Sequence, residues 1–272
     1  MRLPTFRRWQ TGGVVPDGGD LADAAPTSAA EVDDAVTTRV ALGEPLYRLD
    51  EDLIRTLRPD LILAQDLCRV CAVPSGAVTD ALDRLGCRAT VVSLDPSTLD
   101  DVIALVCVVG EAAGVGRRGR AVADGLVARV DDVRRRTADG GRRRVLELEW
   151  SDPPYVGGHW VPKMVEAAGG TALLAAAGAP SPRVDWAAVE RADPEVVVVA
   201  PCGYGLAEAV SEGAGLLERS EMARAGEVWA LDGSAYFSRP GPRVVDGVEL
   251  LASVLHPESS PPPPPGRAER LR

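Results

Sequence analysis

Five short apolar runs, separated by segments with helical spacing, constrain the fold of this chain more than any other feature. The runs are nearly continuous in apolar residues and rich in β-branched ones, as is typical of parallel strands covered on both faces. They are DLILAQD (60–66), ATVVSLD (89–95), RVLELEW (144–150), EVVVVAP (195–201) and EVWALDG (227–233). The segments between them repeat apolar residues every three to four positions, which indicates helices. This alternation predicts an α/β fold.

The middle of the chain carries one long helical stripe instead of strands. No strand is predicted between Leu99 and Thr137, and apolar residues line one face of a helix that starts near Arg117. A helix of about 22 residues spans roughly 33 Å, the diameter of a small domain. Its place between two α/β halves predicts a rigid connection between two lobes.

These patterns divide the chain into five segments. Residues 27–110 are predicted to form an N-terminal α/β lobe, 111–140 the connecting helix and 141–258 a C-terminal α/β lobe. Residues 1–26 are rich in Gly and Pro without a strand pattern, so we expect a divergent, disordered segment there. The tail SSPPPPPGRAERLR (259–272) is polyproline-like and then charged, and it is also predicted to be disordered.

Composition narrows the classes of function. The formal net charge of −10 argues against a nucleic-acid partner, because phosphate binding needs a basic face. No apolar run reaches the ~18 residues of a membrane span. The N-terminus has no signal-peptide core, so the expected location is cytoplasmic as written, and extracytoplasmic only if the true start lies upstream. The five cysteines are odd in number and scattered, which suits reduced thiols.

Aromatic residues collect in the loops after the predicted strands of the C-terminal half. Ligands of open α/β sheets bind beyond the carboxyl ends of the strands, and rigid aromatic side chains there suit a broad, mostly apolar ligand. Six of the eleven Trp, Tyr and Phe residues, together with one histidine, are therefore predicted ligand contacts: Trp150, Tyr155, His159, Trp160, Tyr204, Tyr236 and Phe237. Arg239 is predicted to reach an anionic group of the ligand. Each of these residues could instead brace its own loop.

The loop after the first predicted strand carries Asp66 and a C-x-x-C pair, Cys68 and Cys71. Such a pair between a strand and a helix is the setting of thiol–disulfide enzymes, whereas a single pair cannot complete a four-ligand zinc site. Structural packing, a ligand-facing wall and redox or metal chemistry all stay open. We include these three residues among the ligand-binding candidates and keep a thiol-redox or metal-handling protein as the alternative function.

The sequence lacks the familiar catalytic templates. It has only two histidines and no G-x-S-x-G, P-loop, G-x-G-x-x-G or H-E-x-x-H motif. We therefore predict no catalytic residues, no metal site and no enzyme activity.

Three segments resemble the cobalamin-binding branch of the class III ABC-transporter substrate-binding proteins. They are LYRLDEDLIRTLRPDLILAQDLCRVCAV (46–73), EWSDPPYVGGHWVPKMVEAAGG (149–170) and YFSRPGPRVVDGVELLASVLHP (236–257). The resemblance spans about residues 27–257 and implies two Rossmann-like lobes joined by a single long helix. It also implies non-enzymatic binding of a corrinoid (cobalamin-like) or other metal-chelate ligand in a cleft between the lobes, with no tightly bound cofactor.

The same resemblance bears on partners. A small-molecule ligand is the expected partner, and an ABC permease is a candidate partner that is not implied without a signal peptide. The first strand and helix of that family, and its H-E-C-D-Y-P-like loop, are missing from residues 1–26. The N-terminal lobe is therefore expected to be incomplete, and a degenerate relative that binds nothing is a further alternative.

Overall fold

The computed structural model describes residues 14–16, 28–42, 47–66 and 75–272. Contacts within the chain divide it into two compact units, Met1–Asp95 and Pro96–Arg272. None of the described helices combines the length and the apolar character needed to cross a bilayer.

The N-terminal unit is built from short elements. They are β1 (Val14–Pro16), α1 (Ala29–Leu42), β2 (Tyr47–Leu49), α2 (Glu51–Leu57), β3 (Leu61–Ala64), α3 (Ser75–Leu85) and β4 (Thr90–Ser93). Strands β1 and β2 pair antiparallel, and β3 and β4 pair parallel in a separate sheet. The predicted strands at 60–66 and 89–95 are confirmed as β3 and β4.

The described residues of this unit include one cluster of buried apolar side chains. Its members are Ile54, Ala64, Val78 and Leu82. Helix α2 is fixed at its start by Asp50, whose side chain accepts a hydrogen bond from Leu53 N (2.8 Å). This cap satisfies one of the free N–H groups of the first turn.

The C-terminal unit holds the remaining elements. The helices are α4 (Leu99–Ala112), α5 (Gly116–Thr137), α6 (Val161–Ala167), α7 (Trp186–Ala192), α8 (Leu206–Leu216), α9 (Gly233–Tyr236) and α10 (Arg243–Leu255), with a 3₁₀ turn at Ser220–Met222. The strands are β5 (Arg143–Ser151), β6 (Pro154–Val156), β7 (Gly170–Ala172), β8 (Val196–Val199), β9 (Glu227–Leu231) and β10 (Ala268–Arg270).

One mixed sheet organises this unit. Its strand order is β10-β9-β8-β5-β6, and β7 also pairs with β5. Strands β5, β7, β8 and β9 are parallel, whereas β6 and β10 run antiparallel to their neighbours. All four residues of β8 are fully buried, which confirms the prediction of parallel strands covered on both faces.

Helix α5 confirms the predicted long helix, and it packs within the C-terminal unit. Its neighbours are α4, α6 and α10. Helices α4 and α5 approach closely, because a Cβ atom built on Gly110 would lie 2.9 Å from the Cα of Gly119. Arg129 of α5 binds Asp246 (2.6 Å) and Glu249 (2.7 Å) of α10. The unit boundary at Asp95 therefore lies earlier in the chain than the predicted boundary at residue 110.

The C-terminal tail differs from the disordered segment predicted for 259–272. Strand β10 pairs with β9, and Leu271 packs against the core of the C-terminal unit. Arg272 Nη2 donates hydrogen bonds to Met222 O (2.7 Å) and Ala225 O (2.8 Å). The physical reason is that β9 would otherwise present unpaired backbone groups, which the tail satisfies.

The predicted disorder of residues 1–26 falls mostly outside the described residues. Within that range the structure describes Val14–Pro16, which form β1 although the sequence shows no strand pattern there.

Candidate functional site

Three segments follow the carboxyl ends of the parallel strands β5, β8 and β9 and are joined by hydrogen bonds. Cys202 N donates to Glu149 O (2.9 Å), which fastens the segment after β8 to β5. Ser234 N donates to Tyr204 O (2.8 Å), which fastens the segment after β9 to the segment after β8. The sheet therefore places residues distant in sequence at one edge, as expected where ligands bind in open α/β sheets.

An aromatic cluster of Trp150, Tyr155 and Tyr204 occupies this edge. Trp150 and Tyr155 face each other across the β5–β6 pair, so their side chains project from the same side of the sheet. The rings of Trp150 and Tyr204 lie 5.3 Å apart between centroids, with their planes tilted by 59°. All three residues are partly exposed. The cluster therefore offers a wall of ring surface that a ligand can reach.

The phenol of Tyr204 remains protonated at neutral pH. Burial raises the pKa of Tyr204, and the negative charges of Glu212 and Glu208 raise it further. Glu212 is also bound by Ser151 Oγ, at the end of β5. Tyr204 thus keeps an O–H group available as a hydrogen-bond donor beside the ring surface.

His159 is held in an uncommon backbone conformation. Its φ angle is 49°, in the left-handed region that non-glycine residues seldom adopt. His159 N donates to Ala179 O (2.6 Å), and His159 O accepts from Gly178 N (3.0 Å), so the neighbouring segment fixes it. Burial lowers the pKa of His159, which favours the neutral imidazole at pH 7. The side chain is half-buried and remains a candidate for ligand contact.

Three predicted contacts are buried beneath the edge. Trp160, Phe237 and Tyr236 expose only 5%, 3% and 9% of their surface. Trp160 Nε1 donates to Phe237 O (2.8 Å), which joins the segment after β6 to the segment after β9. The Arg267 guanidinium of the tail lies 5.8 Å from the Tyr236 ring centre. The structure therefore favours the bracing interpretation for these three side chains, whose rings fill space between segments.

The remaining predicted site residues are Arg239, Asp66, Cys68 and Cys71. Arg239 is exposed in the segment after β9. Cys68 and Cys71 fall outside the described residues, so a ligand or redox role for them stays a prediction. Among the described residues, no group of three or more His, Cys, Asp and Glu side chains is placed to hold a metal ion.

Asp66 belongs to the N-terminal unit and has a clear local role. Its carboxylate accepts hydrogen bonds from Ser75 N (2.7 Å) and Ser93 Oγ (2.7 Å). The hydrogen bonds from Ser75 and then Ser93 lower the pKa of Asp66. This carboxylate joins the start of α3 to the end of β4, and its predicted contact with a ligand stays a prediction.

The sequence prediction missed two carboxyl groups on β5, Glu147 and Glu149. Glu147 exposes 3% of its surface, and neither carboxyl oxygen has a hydrogen-bond partner among the described residues. Glu149 Oε2 accepts from Ser181 Oγ (2.6 Å). The signal was the alternation LELE inside a run predicted to be buried on both faces, where a charged residue needs an explanation.

Removal from water dominates the titration of both groups. Burial raises the pKa of Glu147 well above its ordinary range, and the charge of Glu149 raises it further. The backbone N–H of Gly157 lowers the pKa of Glu147 and so offsets part of this rise. The hydrogen bond of this N–H goes to the backbone oxygen of Glu147 (3.2 Å) and not to the carboxyl group. Burial also raises the pKa of Glu149.

Comparisons with known proteins agree with this architecture. Residues 18–225 match the model of a family described as periplasmic binding protein. The chain has no match among the curated proteins. The periplasmic vitamin B12-binding protein BtuF of Vibrio cholerae is a similar solved structure, with 24% identity, a TM-score of 0.56 and coverage of 76% of this chain and 78% of that one.

Two heme-binding proteins are also similar. The periplasmic heme-binding protein RhuT from Roseiflexus sp. RS-1 has 25% identity and a TM-score of 0.60, covering 76% of this chain and 78% of that one. A periplasmic heme-binding protein from Pseudomonas aeruginosa has 20% identity and a TM-score of 0.63, covering 82% and 81% of the two chains.

These findings confirm the predicted fold class and the resemblance to class III ABC-transporter substrate-binding proteins. Proteins of this kind bind solutes without a tightly bound cofactor and are not enzymes, in agreement with the prediction of no enzyme activity. Because the family model spans most of the chain, its membership is clear. The chain belongs to the periplasmic binding protein family.

Proposed function

We propose that the chain binds a corrinoid, or another planar metal chelate, at the carboxyl edge of its C-terminal sheet. The observation that carries the proposal is the aromatic cluster, in which Trp150 and Tyr204 present partly exposed rings 5.3 Å apart at that edge. Similar proteins are described as binders of vitamin B12 and of heme, and both ligands are broad macrocycles around a metal.

The chemistry of the edge suits such a ligand. Partly exposed rings supply rigid apolar area with few rotatable bonds to fix on binding. The neutral imidazole of His159 and the O–H of Tyr204 add polar contacts, and the exposed Arg239 can pair with an anionic side group of the ligand. A few polar groups around an apolar wall are what orient a ligand in such sites.

The corrinoid is the ligand that we favour within this class. The segments that resemble the cobalamin-binding branch include the one that carries Trp150, Tyr155 and His159. Solved structures of heme binders are nevertheless as similar as that of the vitamin B12 binder. Cyanocobalamin and hemin are therefore the two probes to compare.

The test is a titration of the full chain with each probe, followed by visible absorption and by calorimetry. We expect saturable binding of cyanocobalamin that is at least tenfold tighter than that of hemin. The reverse order would identify a porphyrin binder. Absence of binding tighter than about 1 mM for either probe would contradict the proposal and favour a degenerate relative.

A matched pair of substitutions locates the site. Trp150→Leu removes a ring from the edge, and Trp229→Leu removes one from β9, where Trp229 Nε1 binds Glu227 (3.1 Å) in the same sheet. We expect Trp150→Leu to weaken binding about fivefold, because an aromatic contact contributes about 1 kcal/mol beyond its buried area. Trp229→Leu should bind like the wild type. Equal effects of the two substitutions would place the ligand elsewhere.

The partner follows from the family. Solute-binding proteins of this kind work with ABC permeases, and we propose that this chain delivers its ligand to one.

A further inference from the structure

A buried carboxyl pair lies directly beneath the segment that carries His159. Glu147 and Glu149 are two positions apart on β5, whose pairing with β6 shifts register between Leu148 and Trp150. Both carboxyl groups lie against the Gly157–Gly158 segment, and the charge of Glu149 acts on Glu147. The packing over Glu147 is tight, since a Cβ atom built on Gly157 would overlap Oε2 of Glu147. Such an atom would also lie 2.9 Å from Val161. A side chain at position 157 would therefore displace the carboxyl group of Glu147.

The second carboxyl is linked to the next glycine. Gly158 N donates to Ser181 Oγ (3.1 Å), and Ser181 Oγ donates to Glu149 Oε2 (2.6 Å). Gly157 and Gly158 therefore rest on the two carboxyl groups, one by direct packing and one through a serine. The next residue, His159, has the left-handed backbone conformation, and Trp160 is the N-cap residue of α6.

We propose that Glu147 and Glu149 are positioning residues for the His159–Trp160 segment, and that they hold this segment in place only while the pair retains a proton. A buried carboxylate without a hydrogen-bond partner must regain water when it ionises. The cover over Glu147 is the glycine segment, so water reaches the carboxylate by lifting that segment. The position of His159 then depends on the protonation of a group that the ligand does not touch.

Among the described residues, no cation is one of the groups that shift the pKa of Glu147 or Glu149. The raised pKa of Glu147 has two electrostatic causes besides burial, the charges of Glu149 and of Cys202 in the segment after β8. On α6, Lys163 is paired with Glu166 (2.7 Å), and on α10 the acidic Asp246 and Glu249 are paired with Arg129. The other titratable groups of the adjoining segments are His159, Tyr155 on β6, Glu212, which is bound by Ser151, and Arg183, which is exposed in the segment that carries Ser181. None of these groups is a cation that shifts the pKa of Glu147 or Glu149.

Hydrogen exchange of the full chain tests the positioning role without any ligand. After correction for the intrinsic effect of pH, we expect the amides of 157–164 to lose at least about tenfold of their protection between about pH 6 and about pH 9. The amides of Val196–Val199 serve as the internal reference. Glu147→Gln should abolish this pH dependence, whereas Glu166→Gln, a matched change on α6, should leave it intact.

A second variant tests the coupling between the two carboxyl groups. In Glu149→Gln the neighbouring negative charge is gone, so Glu147 should ionise at lower pH and the loss of protection should begin at lower pH. The proposal is overturned if the wild-type segment keeps its protection over the whole range, or if Glu147→Gln retains the wild-type pH dependence.

The consequence for binding rests on the proposed function and uses cyanocobalamin as the probe. Wild-type affinity should fall about tenfold over the same pH range, and Glu147→Gln should show a flat profile. If cyanocobalamin binds at no pH, the proposed function fails, while hydrogen exchange still decides the positioning role. If it binds with the same pH profile in both proteins, the positioning role is refuted and the proposed function stands.

Discussion

The two units of the chain contain strands of similar sequence that are buried to different extents. In the C-terminal unit, all four valines of β8 are fully buried, and β8 has a strand neighbour on each side, β9 and β5. In the N-terminal unit, β3 pairs with one strand in the part of the chain that the structure describes, and Leu63 is 36% exposed. An apolar run predicts a strand, whereas the burial of that strand depends on how many neighbours the rest of the chain supplies.

The largest expected difference between the units concerns their cores. Leu146 is fully buried in the core of the C-terminal unit, whereas Leu82 belongs to a cluster of four buried residues described in the N-terminal unit and lines an open pocket of about 450 Å³. Leu146→Ala should cost about 4–5 kcal/mol of unfolding free energy, because the packed surroundings cannot collapse. Leu82→Ala should cost about 2 kcal/mol, because the pocket already admits water.

Urea denaturation monitored by hydrogen exchange of each unit measures these two costs separately, since a chain of two units need not unfold in one step. If Leu82→Ala and Leu146→Ala lower the free energy of unfolding by the same amount, the cores of the two units do not differ in how tightly they are packed.

The next largest effect concerns the tail. Deletion of 268–272 removes β10, uncovers β9 and takes Leu271 away from Gly213, beside which its side chain packs. We expect the C-terminal unit to lose about 2–3 kcal/mol, from the burial of one leucine and a few ladder hydrogen bonds. The N-terminal unit should be unchanged. Glu269→Gln, a change at an exposed position of β10, is the control. If the deletion leaves the stability of the C-terminal unit unchanged, the result would support the disordered tail predicted from the sequence.

The tail shows what sequence patterns miss. Strands β3, β4, β5, β8 and β9 could be predicted because parallel strands buried between helices are nearly continuous in apolar residues. Strand β10 has the sequence AER, with no such pattern, because its backbone rather than its side chains completes the sheet. The short strands β6 and β7 and the helices α1, α4 and α9 likewise lie outside the predicted elements.

The candidate site was predictable in position more than in detail. The loops after parallel strands could be identified, and the structure joins them by hydrogen bonds such as that from Ser234 N to Tyr204 O. Which rings face solvent could not be predicted, because the exposure of Trp150 and the burial of Trp160 depend on segments far away in sequence. Trp160, for example, is buried against Phe237, 77 residues later.

A substitution between α4 and α5 tests whether these two helices stabilise only the C-terminal unit. In Gly119→Ala the new Cβ would lie 2.9 Å from Val106 O and 3.1 Å from the Gly110 Cα, so α4 and α5 must separate. We expect a loss of about 1–3 kcal/mol that is confined to the C-terminal unit. Gly125→Ala on the same helix meets no atom within 4 Å and should stabilise that unit by about 0.5–1 kcal/mol. Hydrogen exchange that also changes in the N-terminal unit would show that α4 and α5 stabilise both units.

The smallest expected effect is that the stability of the two units depends on pH with opposite sign. Hydrogen bonds from Ser75 and Ser93 lower the pKa of Asp66 from its ordinary value of 3.8. The contribution of Asp66 to folding stability is therefore present above pH 3.8 and is lost as the pH falls through the lowered pKa. Burial raises the pKa of Glu147 from its ordinary value of 4.5. The contribution of Glu147 to folding stability is therefore present below pH 4.5 and is lost as the pH rises through the raised pKa.

Acid should therefore weaken the N-terminal unit around Asp66, and alkali should weaken the C-terminal unit around Glu147. Because Asp66 is exposed, solvent screens its hydrogen bonds and the acid effect should be the weaker of the two. Hydrogen exchange of 61–66 and of 145–149 between about pH 3 and about pH 9 measures both trends. Asp66→Asn should flatten the first and Glu147→Gln the second. Parallel trends in the two segments would mean that net charge, rather than these two carboxyl groups, governs the response to pH.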